Sequence, residues 1–165
     1  MQALRSVSQE VINRIKKDID IHFTKIFTGF DEVAMLGKND FSAIIQRRPV
    51  TLKESIATVH TIFQRAGFVD IKRFGISSVK RYWLLMYVMD LPEARTLRQR
   101  YLLEMQRSLK DHSILRPLYA RLYDKVALQS GKQQRYGTQA DAEGTSTIEE
   151  PETLHARRVA MGLEG

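Results

Sequence analysis

The stretch SSVKRYWLLMYVM, Ser77 to Met89, places Val79, Tyr82, Trp83, Leu84, Leu85, Met86 and Val88 on every side of a helical wheel. A helix that is apolar all round is buried among other helices. Its uninterrupted apolar run, Tyr82 to Met89, falls far short of the roughly 20 residues that span a bilayer. The stretch therefore predicts the central element of a helical core, and the flanking sequence has to supply the helices that cover it.

Upstream, Thr51-x-x-Glu54 forms a capping box. Leu52, Ile56, Val59, Phe63 and Ala66 then recur at steps of three and four, and Gly67 supplies a left-handed stop. Nearer the start, Ser6-x-x-Gln9 offers a second capping box. Val11, Ile12, Ile15, Ile19, Phe23, Ile26 and Phe27 form one stripe, which predicts a helix over 8–27 that ends before Gly29. Between these two, Asn39 can cap a short helix carrying Phe41, Ile44 and Ile45 and closed by Pro49. Residues 68–74 suggest a helical turn that Gly75 separates from the central helix.

Downstream, Pro92 suits a first helical position. It introduces a stripe of Leu97, Tyr101, Met105 and Leu109, with Arg95, Arg98, Arg100 and Arg107 on the other sides. Ser113 caps a last long helix with Leu115, Leu118, Leu122 and Val126 facing inward. After Gly131 the pattern changes. Two polar runs, 133–139 and 145–149, flank Ala142-Glu143-Gly144 and suggest a β-hairpin. Pro151 then opens a terminal helix through Arg157 and Arg158, stopped by Gly162. The expected fold class is mainly α: a compact bundle of about six helices with a short C-terminal β-hairpin and terminal helix, in a single domain over residues 1–165.

Charge divides that domain. Residues 1–135 hold 24 Lys and Arg against 13 Asp and Glu, or +11, while residues 136–165 hold 2 against 6, or −4. A basic helical body (1–130) with an acidic tail (131–165) folded on it is the simplest arrangement. The same polarity would also steer an anionic partner. A nucleic-acid groove would interleave aromatics with the cations for stacking. Phe74, Tyr82, Trp83 and Tyr101 instead fall at core spacing, beside Lys72, Arg73, Lys80 and Arg81. Nucleic-acid binding is therefore the weaker expectation.

The chain has no cysteine, which removes thiolate metal ligation, disulfides and thiol chemistry. His22, His60, His112 and His155 share no ligand spacing, and no zinc-protease, P-loop or nucleophile-elbow motif occurs. No metal and no cofactor is called for. His22 lies beside the inward stripe of the first helix and suits a structural role. Asp18 and Asp20 diverge on a helix and do not make an acid–base pair. Residues 1–9 lack the design of a signal peptide, so a cytoplasmic protein without a membrane segment is expected.

One polar cluster stands out. Asp124-Lys125-Val126 precedes Gly131-x-x-Gln134-x-Tyr136-Gly137-Thr138-Gln139, followed by Arg157-Arg158-x-x-x-Gly162-Leu163. This combination resembles the C-terminal signature of an uncharacterised bacterial family of unknown function. The similarity extends back through Asp90, Trp83-Leu84-Leu85, Phe74-Gly75 and Gly67-Phe68. The resemblance implies a site formed by Asp124, Gln134, Tyr136, Thr138, Gln139, Arg157 and Arg158. In the family pattern the Trp helix continues into Gln-His-x-Asp, whereas this chain has Tyr87-Val88-Met89-Asp90 and lacks that His. No catalytic residue is therefore assigned. A non-catalytic binding or protein-interaction domain is expected, with a protein partner or an anionic small molecule as ligand. The alternatives are an enzyme acting on a phosphate- or carboxylate-bearing small molecule at the Tyr/Gln/Arg cluster, and nucleic-acid binding by the basic body. The competing structural role for the cluster is a latch that ties the tail to the body.

Overall fold

A computed structural model describes residues 6–29, 49–89, 91–139 and 147–163. Among these the chain is all-α, with six α-helices: α1 (Gln9–Phe27), α2 (Pro49–Ala66), α3 (Ile71–Val88), α4 (Arg95–Ser108), α5 (Arg116–Gln129) and α6 (Leu154–Ala160). Short 3-10 turns at Pro92–Ala94, Ser113–Leu115 and Pro151–Thr153 lead into α4, α5 and α6. The chain divides into two compact units. Of the described residues, one unit comprises 6–29, 49–89 and 91–97, and the other 98–139 and 147–163.

In the first unit, α1 packs on both α3 and α2, and α2 packs on α3. Ser8 rather than Ser6 caps α1, its hydroxyl accepting from the Val11 amide at 3.3 Å. Ile12, Ile15, Ile19, Phe23, Ile26 and Phe27 form the buried stripe of α1. The start of α2 differs from expectation: Pro49 begins this helix, so Thr51 lies within it and not at its cap. Proline suits a first helical turn because its missing N–H would have had no partner there. The expected helix capped by Asn39 lies outside the described residues.

The expected break at Gly75 is present as a kink inside α3, where φ is 80° and ψ 159°. Asp70 caps α3 by accepting from the Arg73 amide at 3.0 Å. Beyond the kink, Val79, Tyr82, Trp83, Leu85, Met86, Tyr87, Val88 and Met89 are all within 1% of complete burial, as a central core helix requires. Trp83 stacks on Tyr87 with ring centroids 4.7 Å apart.

The expected C-terminal β-hairpin is not present among the described residues. Their one bridge joins Gln134 to Ile148, and it is parallel, a sense that two strands joined by a tight turn cannot have. The backbone donors that a hairpin ladder would use in 135–138 are taken by a buried side chain. The expected terminal helix does form, as the 3-10 turn Pro151–Thr153 and α6, and it stops at Gly162 with φ 67°.

Candidate functional site

Asp124 organises the C-terminal unit. It lies on α5 with no solvent exposure, and its carboxylate faces the loop that follows the helix. One oxygen accepts from the amides of Arg135 (2.8 Å) and Tyr136 (3.0 Å). The other accepts from the amide (2.9 Å) and hydroxyl (2.7 Å) of Thr138. Successive amides turned toward one point make an anion cradle, and here the anion is part of the chain. A carboxylate is suited to the place because it can accept four bonds and donates none.

Gln134 closes the same loop on itself. Its Oε1 accepts from the Gln139 amide at 2.9 Å, and its Nε2 donates to the Gln139 carbonyl at 3.2 Å. The Gln139 side chain in turn reaches the Arg121 carbonyl of α5 at 3.2 Å, which ties the loop to the helix. Gly137 has φ 61°, and a Cβ there would stand 3.3 Å from Ile148 Cδ1 and 3.7 Å from Leu154 Cδ2. The positive φ favours glycine, and the Ile148 methyl would have to give way slightly to a Cβ.

The two arginines of α6 complete the arrangement through carbonyl groups. Arg157 donates from Nε to the Arg135 carbonyl (2.8 Å) and from Nη1 to the Glu150 carbonyl (3.2 Å). It also bonds the Glu149 carbonyl and the Thr153 hydroxyl. Glu150 is held at φ 42°, a left-handed conformation rare for a residue with a side chain, and this aims its carbonyl at Arg157. Arg158 donates to the Tyr136 carbonyl at 2.8 Å. A guanidinium with five donors can gather carbonyls from several turns at once, which an ammonium cannot do with the same geometry.

All seven residues implied by the resemblance thus converge. Asp124, Gln134, Thr138, Gln139, Arg157 and Arg158 fix backbone groups of the segment that returns to α5. Tyr136 is buried and packs edge-on against Tyr123, with centroids 5.7 Å apart. Burial raises the Tyr136 phenol above the ordinary tyrosine value, and Arg135 opposes that rise. Burial also pushes Tyr119 up to about 12, with Tyr136 and Tyr123 adding to it. These phenols are poor proton donors or bases near neutrality.

Two open surfaces adjoin this cluster. Gly137, Pro151, Leu154, His155 and Arg158 line a cleft of about 430 Å³. Gln99, Leu102 and Leu103 of α4 and Tyr123, Val126 and Ala127 of α5, with Ser130 and Lys132, line a groove of about 290 Å³. Leu103 is 57% exposed at that groove. It falls outside the core stripe of Tyr101 and Met105, so its exposure is legible in the spacing once the stripe is assigned.

Several expected surface cations are engaged. Arg98 is 2% exposed and donates to Gln129 at 2.7 Å, and Arg107 pairs with Glu104 at 2.8 Å. Arg73 turns inward to Asp70 and to the carbonyls of Ala66 and Phe68. Arg81 pairs with Asp20 at 2.6 Å and lies over the Phe23 ring. His22 is half-buried, its Nδ1 2.7 Å from the hydroxyl of buried Ser55, and burial followed by Lys25 lowers its pKa. Among the described residues no group of three or more His, Asp or Glu is placed to hold a metal, and no helix is long and apolar enough to cross a membrane. No family model, curated protein or solved structure matches the chain.

Proposed function

We propose that the chain is a non-catalytic binding protein whose C-terminal unit receives a carboxylate-bearing amphipathic helix from a partner protein. The observation that carries this reading is the apolar groove between α4 and α5, open to solvent at Leu103. The internal use of the signature residues supports it, because the polar groups most suited to chemistry hold the backbone instead. A groove between two helices accepts a third through apolar anchors spaced three and four apart. Its lining includes Lys132 and no Asp or Glu, and Arg135 stands beside Tyr123, so acidic flanks on the occupant would be complementary.

The test is fluorescence anisotropy of a labelled helical peptide with leucines at that spacing and glutamates on its flanks. Binding should be saturable, lost in Leu103→Glu and weakened in Lys132→Glu. A peptide with lysines replacing the glutamates should bind about tenfold more weakly. Equal binding of the two peptides, or binding indifferent to Leu103→Glu, would overturn the assignment.

The second reading is an enzyme acting on a phosphate- or carboxylate-bearing small molecule. The cleft beside Gly137, His155 and Arg158 favours it. It requires saturable perturbation of the His155 ring resonances by inorganic phosphate, and is abandoned if phosphate leaves them unmoved.

A further inference from the structure

A different place in the molecule, in the N-terminal unit, carries an inference independent of that groove. Ile15 and Asp18 of α1 face Ala57, Thr58, Thr61, Ile62 and Arg65 of α2 across a cleft of about 230 Å³. The α2 residues recur at steps of three and four and so share one helix face. Ile15 and Ile62 are buried and form an apolar floor, while Asp18 stands on one wall and Arg65 on the other.

Three ion pairs form elsewhere in this unit: Arg81 with Asp20 at 2.6 Å, Arg73 with Asp70 at 2.5 Å and Arg14 with Glu10 at 3.6 Å. Asp18 and Arg65 line the same cleft but form no ion pair with each other or with any other described residue. The Thr61 hydroxyl is turned to the Ala57 carbonyl at 3.0 Å, whereas no hydrogen bond engages the Thr58 hydroxyl among the described residues. The cleft therefore presents a carboxylate, a guanidinium and a hydroxyl around an apolar floor.

We propose that this cleft binds a free aliphatic α-amino acid: Asp18 holds the ammonium, Arg65 the carboxylate, and Ile15, Ala57 and Ile62 the side chain. A guanidinium fork matches a carboxylate in two parallel bonds, and a single aspartate suits a compact ammonium. The size agrees. The cleft is smaller than the roughly 300–1,000 Å³ of pockets for drug-sized ligands. The opposed charges also select against other ligands. Asp18 repels a phosphate or a dicarboxylate, and Arg65 repels a polyamine.

The experiment is a titration of the full ¹⁵N-labelled chain with leucine, followed by amide shifts in α1 and α2. Saturable shifts around Asp18, Thr58, Thr61 and Arg65 are expected, with a dissociation constant on the order of 1 mM, as suits so small a ligand in a partly open cleft. N-acetylleucine lacks the ammonium and leucinamide lacks the carboxylate, so each should bind about tenfold more weakly or worse. Asp18→Asn and Arg65→Gln should each weaken leucine about tenfold while leaving the helical circular dichroism unchanged. The assignment is overturned if leucine gives no saturable shift up to about 50 mM. It is equally overturned if the blocked ligands bind as well as leucine, or if both variants bind unchanged. None of these outcomes bears on the α4–α5 groove.

Discussion

The N-terminal unit and the loop around Asp124 are held by different forces, and they should fail differently. Around Trp83 the cohesion is apolar. Side chains from α1, α2 and α3 meet with almost no exposure, and the stabilisation scales with area removed from water, about 25 cal/mol per Å². Around Asp124 the cohesion is directional: one carboxylate, two glutamines and two arginines satisfy a return loop with little regular structure of its own. Area-driven packing tolerates changes of shape that conserve volume. A buried hydrogen-bond network tolerates little, because each lost acceptor leaves donors desolvated and unpaired.

The largest effect expected from this contrast is at Asp124. Asp124→Ala removes the acceptor of three amides, that of Tyr136 buried and those of Arg135 and Thr138 part-buried, and of a hydroxyl, and should cost about 3–5 kcal/mol. Asp124→Asn, nearly the same in volume, should recover only part of that, since its amide nitrogen would face other donors. Hydrogen exchange at Arg135, Tyr136 and Thr138 is the direct readout. Retained protection in Asp124→Ala would show that the loop is held by something else.

A volume-conserving change in the apolar region should be milder. Leu85→Met, at a residue 1% exposed, is expected to cost less than about 1.5 kcal/mol. Trp83 is the only tryptophan in the chain, so its fluorescence in urea reports on the N-terminal unit. A loss at Leu85→Met as large as that at Asp124→Asn would erase the distinction between the two regions.

The smallest effect concerns His22, which meets Ser55 in the N-terminal unit. Its pKa is lowered in the folded state, so the unfolded chain binds more protons across the window just below 6.5. Stability contributed by neutral His22 is therefore present above pH 6.5 and declines as pH falls through the window toward the lowered value. His22→Gln should flatten the pH dependence of the Trp83 transition in that range. An unchanged slope would assign the dependence to other groups.

Legibility in the sequence follows the same division. The helices of the N-terminal unit are readable because burial repeats with the helical period, as in Ile12, Ile15, Ile19, Phe23 and Ile26. The Gly75 break and the Gly162 stop are readable because left-handed backbone selects glycine. The residues of the C-terminal cluster are legible too, but their pattern suggests a hairpin and the structure has none among the described residues. Polar runs around a glycine suit a hairpin and an anion cradle alike, and what separates them is a carboxylate on a helix eleven residues before Arg135. The Asp18–Arg65 cleft was not visible. Asp18 alone gives no signal, and its relation to Arg65 exists only once α1 lies against α2.

The sequence by itself therefore determined the predominance of helix, the buried run from Val79 to Val88, and the division of charge between a basic 1–135 and an acidic 136–165. These depend on local period and composition, which the chain carries residue by residue. Tertiary structure alone decided that Arg73 and Arg98 turn inward, that Asp124 replaces a ladder of strand hydrogen bonds, and that Asp18 and Arg65 face one cleft. Hydrogen-bond and charge partners are chosen by distance in space, and no spacing along the chain encodes that distance until the helices have packed.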